Sequence, residues 1–309
     1  MSDFRIRANG KRLLARWQRV VADRSLPFRA AWVQRWILPQ IKRWREPAQL
    51  PLESAVEVHL LTSARDWKCA AWALASFIHA TGRRWNIVIH DDGTLNDEAR
   101  RTLRASFPSA RIKDRAEADA EMESRLAGHP RCLEYRRTHP LALKLFDCTM
   151  LAGTERLILL DSDLAFFQRP DEVLDWVKTG KPDCMFNPDF QDAYCLSRES
   201  ARKRLQVELH PRINTGLSLL PRAVVDVDFC EQSMADHALS EEDSIAWREQ
   251  TLLALCASRF GTTGLLSERY EVHFKPWMSD DAITRHYVGD IRPLYYAEGI
   301  WRLRGLVRP

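Results

Sequence analysis

Residues 157–163, LILLDSD, run an apolar stretch out into two carboxylates one residue apart, Asp161 and Asp163. In a strand, residues i and i+2 lie on the same side, so both carboxylates approach one ion if the extended geometry persists past Leu160. Their hard oxygen atoms suit Mg²⁺ or Mn²⁺ rather than a soft metal. A cation held there bridges two phosphate groups and offsets the charge that develops on a departing diphosphate. Asp-x-Asp is also common in solvated loops; the clean apolar strand before it, and the aromatic-rich LAFFQRP turn after it, favour the metal.

A second pattern lies near the other end of the chain, in residues 286–293, HYVGDIRP. His286 offers an imidazole to complete a metal shell. Gly289 lets the backbone come close to a phosphate, and Arg292 presents a fork of donors to its oxygens. Alone the pattern is weak, because a lone histidine is more often a packed or surface residue.

The elements that must position these groups alternate in type. Strands are predicted over residues 56–61 and 86–90, with helices over 67–80 and 96–106 and a glycine stop at Gly82. Further on, the strand 157–160 precedes a helix at 171–177, a strand near 183–186, a helix around 198–208 and a strand near 216–220. Such alternation argues for a mostly parallel sheet covered on both faces. Ligands of such sheets bind at the carboxyl ends of strands, which here carry Thr62 and Ser63, Asp91 and Asp92, and Asp161 with Asp163. Asp91-Asp92-Gly93 is equally ordinary turn chemistry.

The 309 residues, 45% of them hydrophobic, suffice for one catalytic domain, expected over residues 51–309, with an appendage over residues 1–50. The appendage holds twelve Lys and Arg against three Asp and Glu, a surplus of nine in a chain whose total is only +4. Its apolar residues, among them Trp17, Trp32, Trp36 and Ile41, recur at helical spacing between the arginines, which predicts two amphipathic basic helices broken near Pro27. One reading is an anchor of residues 1–46 on an anionic membrane surface, with tryptophan at headgroup depth. The other is a helical hairpin packed on the domain. Nucleic acid is not an expected partner, since no base-reading module accompanies the charge. A linker is expected over residues 47–54, between Pro47 and Pro51. Seven scattered cysteines form no zinc-like spacing and read as reduced thiols. With no apolar stretch near the roughly 20 residues of a membrane span and no signal-peptide pattern, the expected location is cytoplasmic, soluble or peripheral on the inner face of the membrane.

Together the two motifs resemble those of the retaining nucleotide-sugar glycosyltransferases of the GT-A fold, which include glycogenin and bacterial lipooligosaccharide galactosyltransferases. In that family a strand ending in Asp-x-Asp and a downstream His-x-x-Gly-x-x-Lys-Pro hold Mn²⁺ and the diphosphate. Here the metal ligands would be Asp161, Asp163 and His286, with Arg292 standing where the family has lysine. The resemblance implies an α/β fold of GT-A type: a Rossmann-like, mostly parallel sheet flanked by helices, here with the N-terminal basic helical extension. By the same resemblance Thr62, Ser63 and Trp67 in LLTSARDW receive the nucleotide, Trp67 stacking on the base, and Lys144 and Ser162 reach the donor. Asn214 and Gly216 in INTGLSLL line the sugar pocket, and Gly289 lies beside the phosphates. Residues 247–255, WREQTLLAL, resemble the family's Asp-Gln-x-x-Leu-Asn segment, making Gln250 the polar group at the anomeric centre and Glu249 the acid beside it. Glu replaces Asp there, and Ala254 stands where the family has Asn.

The reaction so implied moves a hexose from a nucleotide-sugar, a UDP-sugar above all, to an acceptor hydroxyl with retention. Its transition state is oxocarbenium-like. No carboxylate is placed by sequence as a nucleophile, which favours front-face attack assisted by the leaving phosphate. An anchored enzyme would meet a glycan or glycolipid acceptor such as lipopolysaccharide, with Asp189, Asp192 and Tyr194 as candidates for the acceptor loop. Two rivals stand beside this reading. Haloacid-dehalogenase-like phosphatases also end a strand in Asp-x-Asp, but near the N-terminus and with Thr or Val where this chain has Ala165. A non-catalytic peripheral membrane protein would need only the basic tail.

Overall fold

In the computed structural model residues 25–236, 239 and 245–307 are described. The first of the two expected N-terminal helices therefore lies outside the described residues. The second forms α1 (Ser25–Trp36). Pro27 sits in its first turn, where a missing N–H costs nothing. Pro39 then forces the chain into a 3-10 turn over Leu38–Arg43, so the α-helix is shorter than its periodicity suggested. Leu26, Ala30, Val33, Ile37, Ile41 and Trp44 from this segment are buried in the main core, while Phe28, Trp32 and Trp36 face outward.

Strand β1 (Leu52–Thr62) begins inside the stretch expected to be a linker. Leu52 and Glu53 pair with Arg84 and Trp85, and a bulge then restores register at Glu57 opposite Asn86. The bulge scrambles the alternation that sequence reading relies on. Next come α2 (Trp67–Thr81), closed by Gly82 at φ +64°, and β2 (Arg84–Asp91). Helix α3 (Asp97–Ser106) starts where Asn96 accepts the Ala99 amide at 2.9 Å. Strand β3 (Arg111–Lys113) and helices α4 (Arg115–Arg125), α5 (Pro130–Thr138) and α6 (Pro140–Met150) follow. The chain continues through β4 (Arg156–Leu160), β5 (Leu164–Phe166), α7 (Asp171–Thr179) and β6 (Cys184–Pro188). The helix expected over 198–208 is only Arg198–Leu205, its second part a π turn, and Gln206 in the left-handed region ends it. Then come β7 (Ile213–Pro221), α8 (Val227–Ser233), α9 (Ile245–Phe260), β8 (Thr263–Leu265), β9 (Tyr270–Glu271) and β10 (Thr284–His286).

Seven strands form one sheet in the order β3-β2-β1-β4-β7-β6-β8. Neighbours are parallel except where β7 runs antiparallel to both β4 and β6. One apolar cluster on this sheet draws on α1, α2 and α7, and the other on α5, α6 and α9. Helices thus flank the sheet as expected. A small second sheet, β5-β10-β9, does the work that matters most for the site. Strand β5 starts one residue after Asp163, and its antiparallel pairing with β10 sets His286 opposite Leu164. Residues more than 120 positions apart in sequence are thereby fastened together.

Behind β10 the buried carboxylate of Glu298 accepts from Arg285 at 2.7 Å, from the Tyr287 hydroxyl at 3.0 Å and from the Met278 amide at 2.9 Å. Removing it leaves the buried guanidinium of Arg285 without its counter-charge. Glu298→Ala should therefore lower unfolding free energy by about 3–5 kcal/mol in urea titrations; a loss within about 0.5 kcal/mol, typical of surface changes, would show that the pair does not hold β10.

Candidate functional site

The carboxyl ends of β1, β2 and β4 carry Thr62, Asp91 and Leu160 side by side. Past Leu160 the backbone does not simply continue as a strand. The Asp161 amide donates to Gly216 O at 2.8 Å, and the Leu164 amide turns back onto Asp161 O at 3.3 Å. Ser162 sits half-buried in this turn between the two carboxylates. Both acids still reach one point. His286 Nε2 lies 3.0 Å from Asp163 Oδ1 and 3.4 Å from Asp161 Oδ2.

The imidazole is fixed from behind. Its Nδ1 is 2.7 Å from Asn214 Oδ1, which also accepts the Gly216 amide at 3.0 Å, while Asn214 Nδ2 donates to Asp189 Oδ2 at 2.9 Å. With the amide nitrogen committed to Asp189, only its oxygen can meet the histidine, so Nδ1 must carry a proton. Nε2 is then aimed at two carboxylates, an arrangement that calls for a cation: either a proton on Nε2 or a metal ion shared by all three. Burial disfavours a charged His286, but Asp163 and then Asp161 raise its pKa above the usual value, and Asp163 is lowered in return. Gly216 makes the approach possible, since a Cβ there would stand 2.2 Å from His286 Nδ1 and Cε1.

Asp161 has a second partner, Lys144 Nζ at 2.7 Å, reaching across from α6. The buried ammonium also donates to Thr215 Oγ1 at 3.3 Å and lies 3.8 Å from Glu249 Oε1. Thr215 passes its own hydroxyl proton toward Glu249 Oε2 at 3.0 Å, and its amide donates to Gln250 Oε1 at 3.2 Å. Burial raises the pKa of Glu249, against the pull of Lys144. Lys144 itself is held above its usual value, because Asp161 and Glu249 outweigh its desolvation. Gln250 Nε2 donates to Ala193 O at 2.9 Å, so both ends of this amide are engaged by the protein.

The structure thus brings Asp161, Asp163, His286, Lys144, Asn214, Gly216, Glu249 and Gln250 into one network. On its other side Arg292 pairs with Asp66 at 2.9 Å, and Asp163 adds to the charge that stabilises the guanidinium. Gly289, at φ +51°, is in the region that favours glycine. Thr62 is buried with its hydroxyl unpartnered, and Ser63 Oγ accepts the Asp66 amide at 3.2 Å. Trp67 is only 3% exposed at the start of α2, between the cations of Lys42 and Lys68. Asp91 binds the Gly93 and Leu95 amides, which is turn chemistry. Of the three loop candidates, Asp192 caps the Arg212 amide and Tyr194 bridges His210 O and the Ile213 amide, while Asp189 orients Asn214. Sequence reading missed Thr215, although it lies between Asn214 and Gly216, and Asp66, whose partner is remote.

No protein-family model matches the chain, and no curated protein sequence does. Solved structures do match. The chain superposes on the bifunctional glycosyltransferase WbbM with a TM-score of 0.53 and 14% identity, over 84% of this chain and 52% of that one. On the galactosyltransferase LgtC, solved with donor and acceptor sugar analogues, the TM-score is 0.50 and the identity 12%, over 82% of this chain and 95% of that one. The fold is of the GT-A type. Within this GT-A architecture the two carboxylates and one imidazole, their ligand atoms within 4.8 Å of one another, form a cluster able to hold a divalent cation. The donor set is of hard oxygens and a borderline nitrogen, which fits Mn²⁺ and Mg²⁺.

Asn214→Ala removes the acceptor that sets the histidine tautomer and should weaken Mn²⁺ binding by about 10–100-fold, the usual effect of losing such a partner. Isothermal titration reads it directly. Unchanged affinity in a folded Asn214→Ala protein would show that His286 does not depend on this contact.

Proposed function

We propose that this chain is a metal-dependent glycosyltransferase that moves a hexose from a nucleotide-sugar, a UDP-sugar by preference, to a hydroxyl of a glycan or glycolipid, with retention. The observation that carries the reading is His286 Nε2 facing Asp161 and Asp163 across the end of β4, with its tautomer already chosen. That arrangement is built for a divalent ion at the place where α/β sheets bind their ligands. Asp161, Asp163 and His286 would hold Mn²⁺ or Mg²⁺ there, and the ion would supply positive charge to the departing diphosphate.

The chain's own groups have separate tasks. Lys144 pairs with Asp161 at 2.7 Å and adds a fixed positive charge at the strand end. Arg292, held 2.9 Å from Asp66, offers its fork to phosphate oxygens. Asn214 and Gly216 shape the floor beside His286, and the backbone of Thr215 holds Gln250 at the rim of the same floor. Glu249 is the buried acid of the group and faces Lys144 rather than open space. Ser63, half-buried at the end of β1, is the group of this segment that a nucleotide would meet first, with Thr62 and Trp67, each 3% exposed, packed beside it. Stabilisation of the leaving group by preorganised charge, more than proton transfer, would then carry the rate.

Asp163→Ala should abolish Mn²⁺-dependent release of nucleoside diphosphate from the donor, with at least a roughly 100-fold fall in kcat, the scale of losing one preorganised electrostatic group. A set of nucleotide-sugars tested with Mn²⁺ for a rise in Tm identifies the donor. Turnover that persists in Asp163→Ala, or release of inorganic phosphate instead, would rule the proposal out.

The exposed face of α1 supports a membrane-peripheral location on the inner face. Phe28, Trp32 and Trp36 are 80%, 47% and 56% exposed, and Trp301 packs edge-on to Trp32 at 5.7 Å. Arg35 lies over the Trp36 ring and Arg304 over Trp301, at 5.0 and 4.1 Å from the ring centroids. Aromatic side chains next to arginines suit an anionic bilayer surface. No helix among the described residues is long and apolar enough to cross a membrane. Replacing Phe28, Trp32 and Trp36 together by alanine should reduce partition into anionic vesicles at least about tenfold, since each buried aromatic contributes on the order of 1 kcal/mol or more, while donor hydrolysis is kept. Equal partition of both proteins would reject the surface.

A further inference from the structure

One turn along α6 from Lys144, the same helix presents Cys148 to a pair of histidines beneath the sheet. His59 on β1 and His90 on β2 are 0% and 2% exposed, and Cys148 is buried as well. His59 Nδ1 lies 2.9 Å from His90 Nε2, with the rings stacked at 5.2 Å between centroids. One nitrogen of each ring and the Cys148 sulfur lie within 4.8 Å of one another. None of the three belongs to the network around Asp161.

The hydrogen bonding of this group is incomplete in an informative way. His59 Nε2 is 3.1 Å from Glu57 Oε2, a carboxylate also bound by the Gly153 amide at 2.6 Å and by Arg111 at 2.5 Å. An acceptor-only carboxylate fixes the His59 proton on Nε2 and leaves Nδ1 with a lone pair. The proton between the rings then sits on His90 Nε2, and His90 Nδ1, fully buried, has no partner. Burial lowers the pKa of both rings and so favours the neutral form, which is the one that ligates metals. A carboxylate behind a histidine is also the usual support of a metal-bound imidazole.

We propose that His59, His90 and Cys148 form a second metal site, distinct from the Asp161 cluster, for a borderline ion of the zinc class. Two nitrogens and a thiolate are ligands that select Zn²⁺ over Mn²⁺ or Mg²⁺. At zinc bond lengths of about 2.0–2.3 Å, tetrahedral ligand atoms stand roughly 3.3–3.6 Å apart. The two rings open by a few tenths of an ångström, and the Cys148 sulfur, within 4.8 Å of both nitrogens, closes toward the ion. A cavity of about 200 Å³ reaches His90, with Arg111, Lys113 and Glu117 on its walls, and gives an approach to the site from that side. On binding, the Cys148 thiol loses its proton to solvent, and the proton on His90 Nε2 moves to the unpartnered Nδ1. One proton is released per ion. The ion would staple β1, β2 and α6 together, and so fix the helix that carries Lys144 to Asp161.

The test uses the full-length protein, stripped with a chelator and titrated with Co²⁺, whose spectrum reports its ligands. A thiolate-to-cobalt charge-transfer band saturating at one equivalent and displaced by Zn²⁺ is expected. Cys148→Ser should remove the band, His90→Gln should weaken Co²⁺ binding at least tenfold, and Asp163→Ala should leave the band intact. Circular dichroism establishes that each variant is folded. Absence of the band in folded wild-type protein overturns the site, whatever the variants do. A band that survives Cys148→Ser assigns the thiolate to another cysteine and overturns it equally. Because Asp163→Ala is scored by the same spectrum, failure of this site is distinguishable from failure of the glycosyltransferase reading.

Discussion

The contact between Asn214 Oδ1 and His286 Nδ1, 2.7 Å long, is the constraint around which the site is organised. It decides which nitrogen carries the proton and therefore which one faces the carboxylates. Three things must hold for it to form. Asp189 must take the amide nitrogen of Asn214, residue 216 must lack a side chain, and β10 must pair with β5. Each is supplied by a different part of the chain. The loop after β6 gives the acid, β7 the glycine, and the C-terminal region the strand.

Around that contact the protein buries more charge than a stable core would choose. Lys144, Glu249 and His286 lie together beneath the surface against the half-buried Asp163, and Arg285 faces Glu298 one strand behind. Buried ion pairs are weak evidence for stability, because the cost of desolvation roughly matches the attraction gained. Groups of this kind persist where they do chemistry. Lys144 stands within 4 Å of both Asp161 and Glu249, and His286 Nε2 faces Asp163. A divalent ion entering there joins an electrostatic pattern that already exists.

Much of this was legible in the residues, and the limits have physical causes. The strand LILLDSD and the α/β alternation are local signals, and helices α2 and α3 lie close to their expected spans. The bulge in β1 and the π turn before Gln206 break the periodicities that carry such reading, so β1 begins earlier and the later helix is shorter. Short strands such as β3 and β5 hold too few residues to show a period. Asp192 and Tyr194 could be named as polar loop residues, but which of them bond to backbone depends on partners some 20 residues away. Thr215 escaped because a threonine carries no charge to advertise it. His59 and His90 are isolated within apolar runs, and nothing in either run points to the other or to Cys148.

Asp161 and Asp163 meet His286, more than 120 residues further along the chain, in a cluster able to hold one divalent ion at the end of β4. Crystals grown with Mn²⁺ and UDP, measured at a wavelength where manganese scatters anomalously, show whether it does so. An anomalous peak bonded to His286 Nε2 and to both aspartates, with His286 Nδ1 still against Asn214, is the expected result. Ordered UDP with no manganese peak within bonding distance of those three residues would contradict it.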